Sequence, residues 1–229
     1  MSTESEHLEN LRFDLRLIGS WIEDGSKVLD LGCGNGDLLL YLKEHKNVRG
    51  TGIEFVEAKV AKCIERGLSV LQGDFNKEVH DYPDNCFDVI ILSQTLQQVM
   101  DPKNLILELL RIGKRVIVSF PNFSHWMIRA KILINGRAPI SRQLPYQWYD
   151  TPNIRIITIK DFKQFLRGLK IRLAREAAIN TDNEDRDGKV VHLFKNIRAT
   201  YGIMMLESPH KTGPHHLISH QSPSTPDGL

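Results

Sequence analysis

The chain has 229 residues, three cysteines and a formal net charge of +2, with a pI of about 8.4. So small a charge gives no field for gripping nucleic acid or an anionic membrane, and neither is expected as a partner. No apolar run reaches the length of a membrane span. Cys33, Cys63 and Cys86 lie too far apart for a metal knuckle or a disulfide framework, so no metal site is expected. The first ten residues are polar and acidic, unlike a secretory signal, which points to the cytoplasm. At this length one domain is the default. It is expected to span residues 1–207, with 208–229 as a disordered tail.

Leu8, Leu11, Leu15, Ile18 and Ile22 fall near helical spacing and predict a helix from Leu8 to Trp21. Asp24-Gly25 makes a turn. There follows the most informative stretch, Val28-Leu29-Asp30-Leu31-Gly32-Cys33-Gly34-Asn35-Gly36. An apolar run reaches an acid and then three glycines at alternate positions. An amphipathic segment continues from Asp37 to His45. This is strand, tight turn and helix, the opening unit of a doubly wound sheet. Glycine lets the chain reverse and leaves bare backbone for a ligand. The helix start adds outward N–H groups.

The dinucleotide fingerprint G-x-G-x-x-G would need its third glycine at Asp37. Here the glycine is Gly36, and Asp30 stands two residues before Gly32. An acid there suits a ligand with a cationic end, such as the amino group of S-adenosylmethionine (SAM), better than a pyrophosphate. The D-x-G-x-G-x-G pattern resembles motif I of the class I SAM-dependent methyltransferases. Asp30, Gly32, Cys33, Gly34, Asn35 and Gly36 are therefore candidate contacts for SAM or S-adenosylhomocysteine, and a NAD site is disfavoured.

The second strand, Val48 to Ile53, ends at Glu54, 24 residues after Asp30. In a parallel sheet both ends open at one edge, where Glu54 can accept the two hydroxyls of a ribose. Phe55 follows as a further candidate contact. A helix is predicted from Val56 to Gly67 and a third strand from Leu68 to Leu71. Just past it, Asp74 is placed to accept from an adenine amino group, and Phe75 either covers the ring or packs in the core. Phe87 to Leu92 is a fourth strand of the kind buried on both faces. It ends in Ser93, a ligand candidate, and Gln94, where a methyl acceptor would sit. The Asn/Asp-Pro-Pro-aromatic run of amino-group methylases of DNA and protein is missing, which disfavours those substrates. Asp101-Pro102 starts a helix to about Ile112, and Arg115 to Phe120 is a fifth strand.

Pro121 to Thr158 is an aromatic insertion holding Phe123, Trp126, Tyr146, Trp148 and Tyr149. Ser124 is predicted to cap a helix through Asn135, closed by Gly136. The proline-bounded loop from Leu144 to Asn153 reads as a docking element or as a second small core. In either case it should lie over the ligand pocket. No strong base is evident. His125, Tyr149 and Gln94 are the candidate catalytic groups, and His125 beside Trp126 reads more readily as a packed residue at a helix start. Thr158 and Asp161 cap a helix to Leu169. Lys170 to Ala177 is a sixth strand, Asn180 to Gly188 a loop, and Arg198 to Leu206 a seventh strand, antiparallel at the edge. The expected fold is α/β: a doubly wound, mostly parallel seven-stranded sheet in three α/β/α layers. His210, His215, His216 and His220 cluster in the tail, where nothing would hold metal ligands at fixed geometry.

The runs VLDLGCGNGDLL, CIERGLSVLQGD, FDVIILSQTLQ, IVSFPNFSHW and LPYQWYDTPNI together resemble the MetW family of methionine biosynthesis proteins. The likeness covers roughly residues 20 to 206. The last three runs are specific to that family, whereas the first is shared by many methyltransferases. The resemblance implies a cytoplasmic bacterial protein of class I methyltransferase fold. It also implies partnership with homoserine O-acetyl- or succinyltransferase, whose activity such proteins support. The alternative is an active SAM-dependent methyltransferase acting on a small molecule. Phe55 and Val56 follow Glu54 with no second acid, which leaves a single carboxylate for the ribose.

Overall fold

The computed structural model describes residues 11–141, 144, 146–181 and 186–208. Leu8 to Asn10, the histidine cluster and positions 209–229 of the expected tail lie outside the described residues. Helix α1 is Phe13–Ser20, and the strand–turn–helix unit follows as β1 (Lys27–Leu31) and α2 (Asp37–Lys46). Next come β2 (Arg49–Glu54), α3 (Glu57–Glu65), β3 (Ser69–Gln72) and α4 (Phe75–Glu78), a single turn. Then β4 (Phe87–Ser93), α5 (Pro102–Ile112) and β5 (Gly113–Pro121) complete the parallel part. The insertion carries α6 (Trp126–Asn135). The chain closes with α7 (Ile159–Gly168), β6 (Arg172–Asn180), β7 (Lys189–Val190), α8 (Lys195–Arg198) and β8 (Tyr201–Glu207).

The strands form one sheet in the order β3-β2-β1-β4-β5-β8-β6-β7. Side chains alternate across it, as the strand period of two requires. In β4, Val89 and Ile91 face Ile18 of α1 with Leu38 and Leu42 of α2. Ile90 and Leu92 face Leu105, Ile106 and Leu109 of α5 with Phe162 and Leu166 of α7. This is the expected three-layer arrangement.

Two expectations for the end of the chain need correction. The sheet has eight strands among the described residues, because Lys189–Val190 pairs with the end of β6. The last long strand is antiparallel but internal, running between β5 and β6. The reason is burial on both faces: Tyr201 to Leu206 are all buried, which an edge strand would not need. Helix starts differ too. Thr158 caps α7 as predicted, its hydroxyl accepting from the Asp161 N–H at 3.1 Å. The N-cap of α6 is His125, not Ser124. The Ser124 hydroxyl instead accepts from Arg129 and from Asn196 Nδ2.

Asn122 pins the insertion to the sheet. It is 1% exposed. Its amide donates to the carbonyls of Ala199 at 2.8 Å and Asn196 at 3.0 Å, and its Oδ1 accepts from the Ser124 N–H at 3.2 Å. Removing the amide leaves buried backbone groups unpartnered, each costing about 1–3 kcal/mol. Asn122→Ala should therefore lower stability by roughly 2–3 kcal/mol in urea unfolding followed by circular dichroism. A variant within a few tenths of a kcal/mol of the parent would show that the pin is dispensable.

Candidate functional site

The β1–α2 turn uses its three glycines for two different reasons. All have positive φ, at 72°, 59° and 77° for Gly32, Gly34 and Gly36. A Cβ on Gly32 would sit 3.0 Å from Thr95 Oγ1, and one on Gly36 would strike Leu68 and Cys63. A Cβ on Gly34 would meet nothing within 4 Å. Packing therefore accounts for the first and third glycines, while the second opens onto free space where a ligand can approach.

The donors of this turn are already engaged. The Gly32 and Cys33 N–H groups donate to the Ile53 carbonyl at 2.8 and 3.3 Å. The Gly34 N–H donates to Glu54 Oε2 at 2.8 Å. The other Glu54 oxygen accepts from the Val56 N–H at 3.0 Å. The N–H groups at these three positions of the turn, ahead of the helix start, thus point inward. Asn35 is exposed, and its carbonyl accepts from Arg66, which also pairs with Asp37.

Beside Glu54 lies Asp30, 4% exposed. No hydrogen bond reaches its carboxylate among the described residues. Burial, reinforced by the negative charge of Glu54, pushes the Asp30 carboxyl up to about 7. The Cys33 thiol packs over Gly52 and is raised by burial and then by the charge on Asp30. Its half-buried side chain thus packs against the sheet, and its backbone belongs to the turn.

The other candidates divide. Asp74 caps α4, its Oδ1 accepting from the Asn76 N–H at 3.0 Å and from Asn76 Nδ2 at 2.9 Å. Phe75 packs against the core, so core packing accounts for it. Phe55 is 74% exposed beside Glu54. The Ser93 hydroxyl pairs with that of Ser119 at 2.9 Å. The three catalytic candidates are not assembled. Gln94 Nε2 donates to Asp14 at 2.8 Å. His125 packs beside Trp126, and burial lowers its pKa. Tyr149 is exposed against Trp148. Among the described residues of the aromatic loop Leu144 is buried, while Tyr146, Trp148 and Tyr149 are exposed and build no second core. What lies against the turn just after β4 is the returning segment of the insertion, where the Arg155 N–H donates to the Gln97 carbonyl at 3.0 Å.

Sequence reasoning misses one element of this edge. Asp14 on α1 is buried and accepts from both Arg12 and Gln94. This ties the N-terminal helix to the end of β4. Gln94 holds a left-handed φ of 51°, a strained conformation for a residue other than glycine. An acid on the inner face of a predicted amphipathic helix was the available signal. A cavity of about 560 Å³ lies among Glu23, Asp24, Asp88, Lys114, Arg115 and Glu207, and the glycine turn is not part of its lining.

Comparison with known proteins sets this geometry in context. The profile of the family described as "Methionine biosynthesis protein MetW" matches residues 12–206. The chain belongs to the MetW family. A curated relative, the bifunctional methionine biosynthesis protein MetXA/MetW of Rhodopirellula baltica, is 34% identical over 185 residues. That match covers 77% of this chain but only 30% of the longer relative. Among solved structures, a SAM-dependent methyltransferase from Archaeoglobus fulgidus matches with a TM-score of 0.60 at 17% identity, covering 85% of this chain and 91% of the other. The M. capricolum TrmK structure, solved with S-adenosylhomocysteine, matches at 0.52 with 11% identity, covering 86% and 69%. These likenesses show that this MetW chain has the class I SAM methyltransferase fold.

The raised Asp30 carboxyl has a consequence for stability. An unfolded Asp titrates near 4, so between about pH 4 and pH 7 the folded chain holds a proton that the unfolded chain has lost. Stability falls as pH rises through that window, by at most about 4 kcal/mol from this group. Asp30→Asn removes the titration. Its thermal midpoint should exceed that of the parent by more at pH 8 than at pH 5. An offset equal at both pH values would place the titration elsewhere.

Proposed function

We propose that this MetW-family chain is a cytoplasmic SAM-binding protein that acts with, and supports, homoserine O-acyltransferase. One observation carries the nucleotide assignment. The turn's N–H groups at Gly32, Cys33 and Gly34 are engaged internally, and two carboxylates flank it. A pyrophosphate needs donors and repels carboxylates. A ligand with an ammonium and a sulfonium gains from them, and the buried, unbonded Asp30 carboxylate is the group that a cation would relieve.

In this reading Gly34 gives the ligand its approach and Asp30 faces the cationic methionine end. Glu54 meets the ribose with the lone pairs that Gly34 and Val56 leave open. Asp74 accepts from the adenine amino group, beside Phe55 and Ser93. SAM supplies an electrophilic methyl group when bound. The acyltransferase half of the proposal rests on the fused Rhodopirellula baltica relative, whose name joins MetXA to MetW.

The alternative, methyl transfer to a small molecule, has one observation in its favour. Gln97 is 5% exposed, and its Oε1 accepts no hydrogen bond among the described residues. An acceptor's N–H or O–H would satisfy it. S-adenosylhomocysteine formation that depends on an added metabolite supports this alternative, and silence across a broad metabolite panel removes it.

Gly34→Val should abolish SAM binding in calorimetric titration by filling the open approach. Backbone strain at positive φ costs about 1–2 kcal/mol of stability, leaving the variant folded at room temperature. Normal SAM binding by that variant would refute the assigned turn. An acyltransferase assay with this protein absent, present, and present with SAM tests the other half: activity should rise on addition of the protein, and an unchanged rate would end the partnership reading.

A further inference from the structure

Helix α6 has the composition of a buried helix and stands in solvent. Its sequence runs Trp126-Met127-Ile128-Arg129-Ala130-Lys131-Ile132-Leu133-Ile134-Asn135, and Ile128 is its one buried residue. Leu133 is 86% exposed and Ile134 79%, with Trp126, Met127 and Ile132 exposed beside them. A helix apolar on several faces is normally covered.

The apolar surface continues past the helix. Asn196 Nδ2 donates to the Ser124 hydroxyl at 2.9 Å, which brings the exposed Leu193, Phe194 and Ile197 up to the start of α6. Phe194 holds a left-handed φ of 52°, a strained conformation that leaves its ring 74% exposed. Scattered exposed apolar residues are ordinary, but a contiguous set marks an interaction surface.

The α6 half of this surface carries charge of one sign. From Pro121 to Tyr149 there is no Asp or Glu in the sequence, while Arg129, Lys131 and Arg137 are present. The occupant that fits is a protein face with an apolar centre and an acidic rim. The fused relative points to which protein: this chain matches 30% of its length, and its name joins MetW to MetXA in one molecule.

We propose that α6, together with the Leu193–Ile197 segment, is the docking face for the acyltransferase. This rests on the partnership proposed above and assigns it a surface. Helix α6 begins five residues beyond the end of β5, at the sheet edge that also carries the glycine turn. A docked partner therefore sits beside the nucleotide site and not across the molecule.

The test uses the full chain and the homoserine acyltransferase of the same organism, with affinity measured by calorimetry or interferometry. The double variant Leu133→Glu, Ile134→Glu changes only exposed side chains. It should weaken the complex at least about tenfold, which is 1.4 kcal/mol, while SAM titration and thermal midpoint stay at parental values. Leu193→Glu, on the far side of the face, should weaken the complex as well, and parental binding should weaken as salt is raised. A complex that forms with the parent and survives all these substitutions would overturn the surface while leaving the partnership intact. Failure of the parent to form any complex would overturn the partnership and the surface together. Two other results reassign the face and overturn the proposal. One is a parental dimer that becomes a monomer in the double variant on sedimentation. The other is parental binding to vesicles of phosphatidylglycerol and phosphatidylcholine that the double variant loses.

Discussion

Two carboxylates end adjacent strands, and the site is built around the problem of burying both. Glu54 is stabilised by the Gly34 and Val56 N–H groups at 2.8 and 3.0 Å. Asp30 receives no such help among the described residues, and its pKa rises accordingly. The first of the Glu54 contacts draws the Gly34 N–H inward, as the Ile53 carbonyl does those of Gly32 and Cys33. In the proposed reading, a bend that holds phosphate in other nucleotide folds here meets a cation.

The sheet positions that pair. Strands β1 and β2 run side by side in parallel register, with Asp30 opposite Gly52 and Leu31 opposite Ile53. Their carboxylates therefore reach the same edge. Gly52 lets the Cys33 thiol pack directly onto β2, which sets the depth of the turn. On the other side of β1, strand β4 ends at Ser93 and hands the chain to Gln94, which Asp14 of α1 holds in a strained conformation. The rim of the site is thus tied to a helix far away in the sequence. A partner seated on α6 would act on an edge already cross-linked by hydrogen bonds through Asn122, Ser124 and Asn196.

Much of this could be read directly from the residues. The alternation of apolar runs and amphipathic segments through residue 120 predicts the five parallel strands and their helices, because each element obeys its own local period. The glycine spacing and Asp30 identify the turn, and Gly36 and Gly136 stand where the chain takes a left-handed step. The family-specific runs match the profile that covers 12–206. Less legible was the C-terminal hairpin. The run Tyr201 to Leu206 is apolar throughout, a sign of an interior strand, but strand order depends on which edge is free when the chain returns. That is a long-range condition with no local signature.

What the sequence determined by itself was the set of elements, the position of the turn and the acids that end β1 and β2, since these depend on neighbours within a few residues. Only the tertiary structure decided how those acids are used. Whether a carboxylate is free, or accepts from an N–H twenty residues away as Glu54 does, is a matter of three-dimensional proximity. The same holds for Asp14 meeting Gln94 and for α6 remaining uncovered: burial is a property of the packed chain, and an apolar sequence cannot say what will cover it.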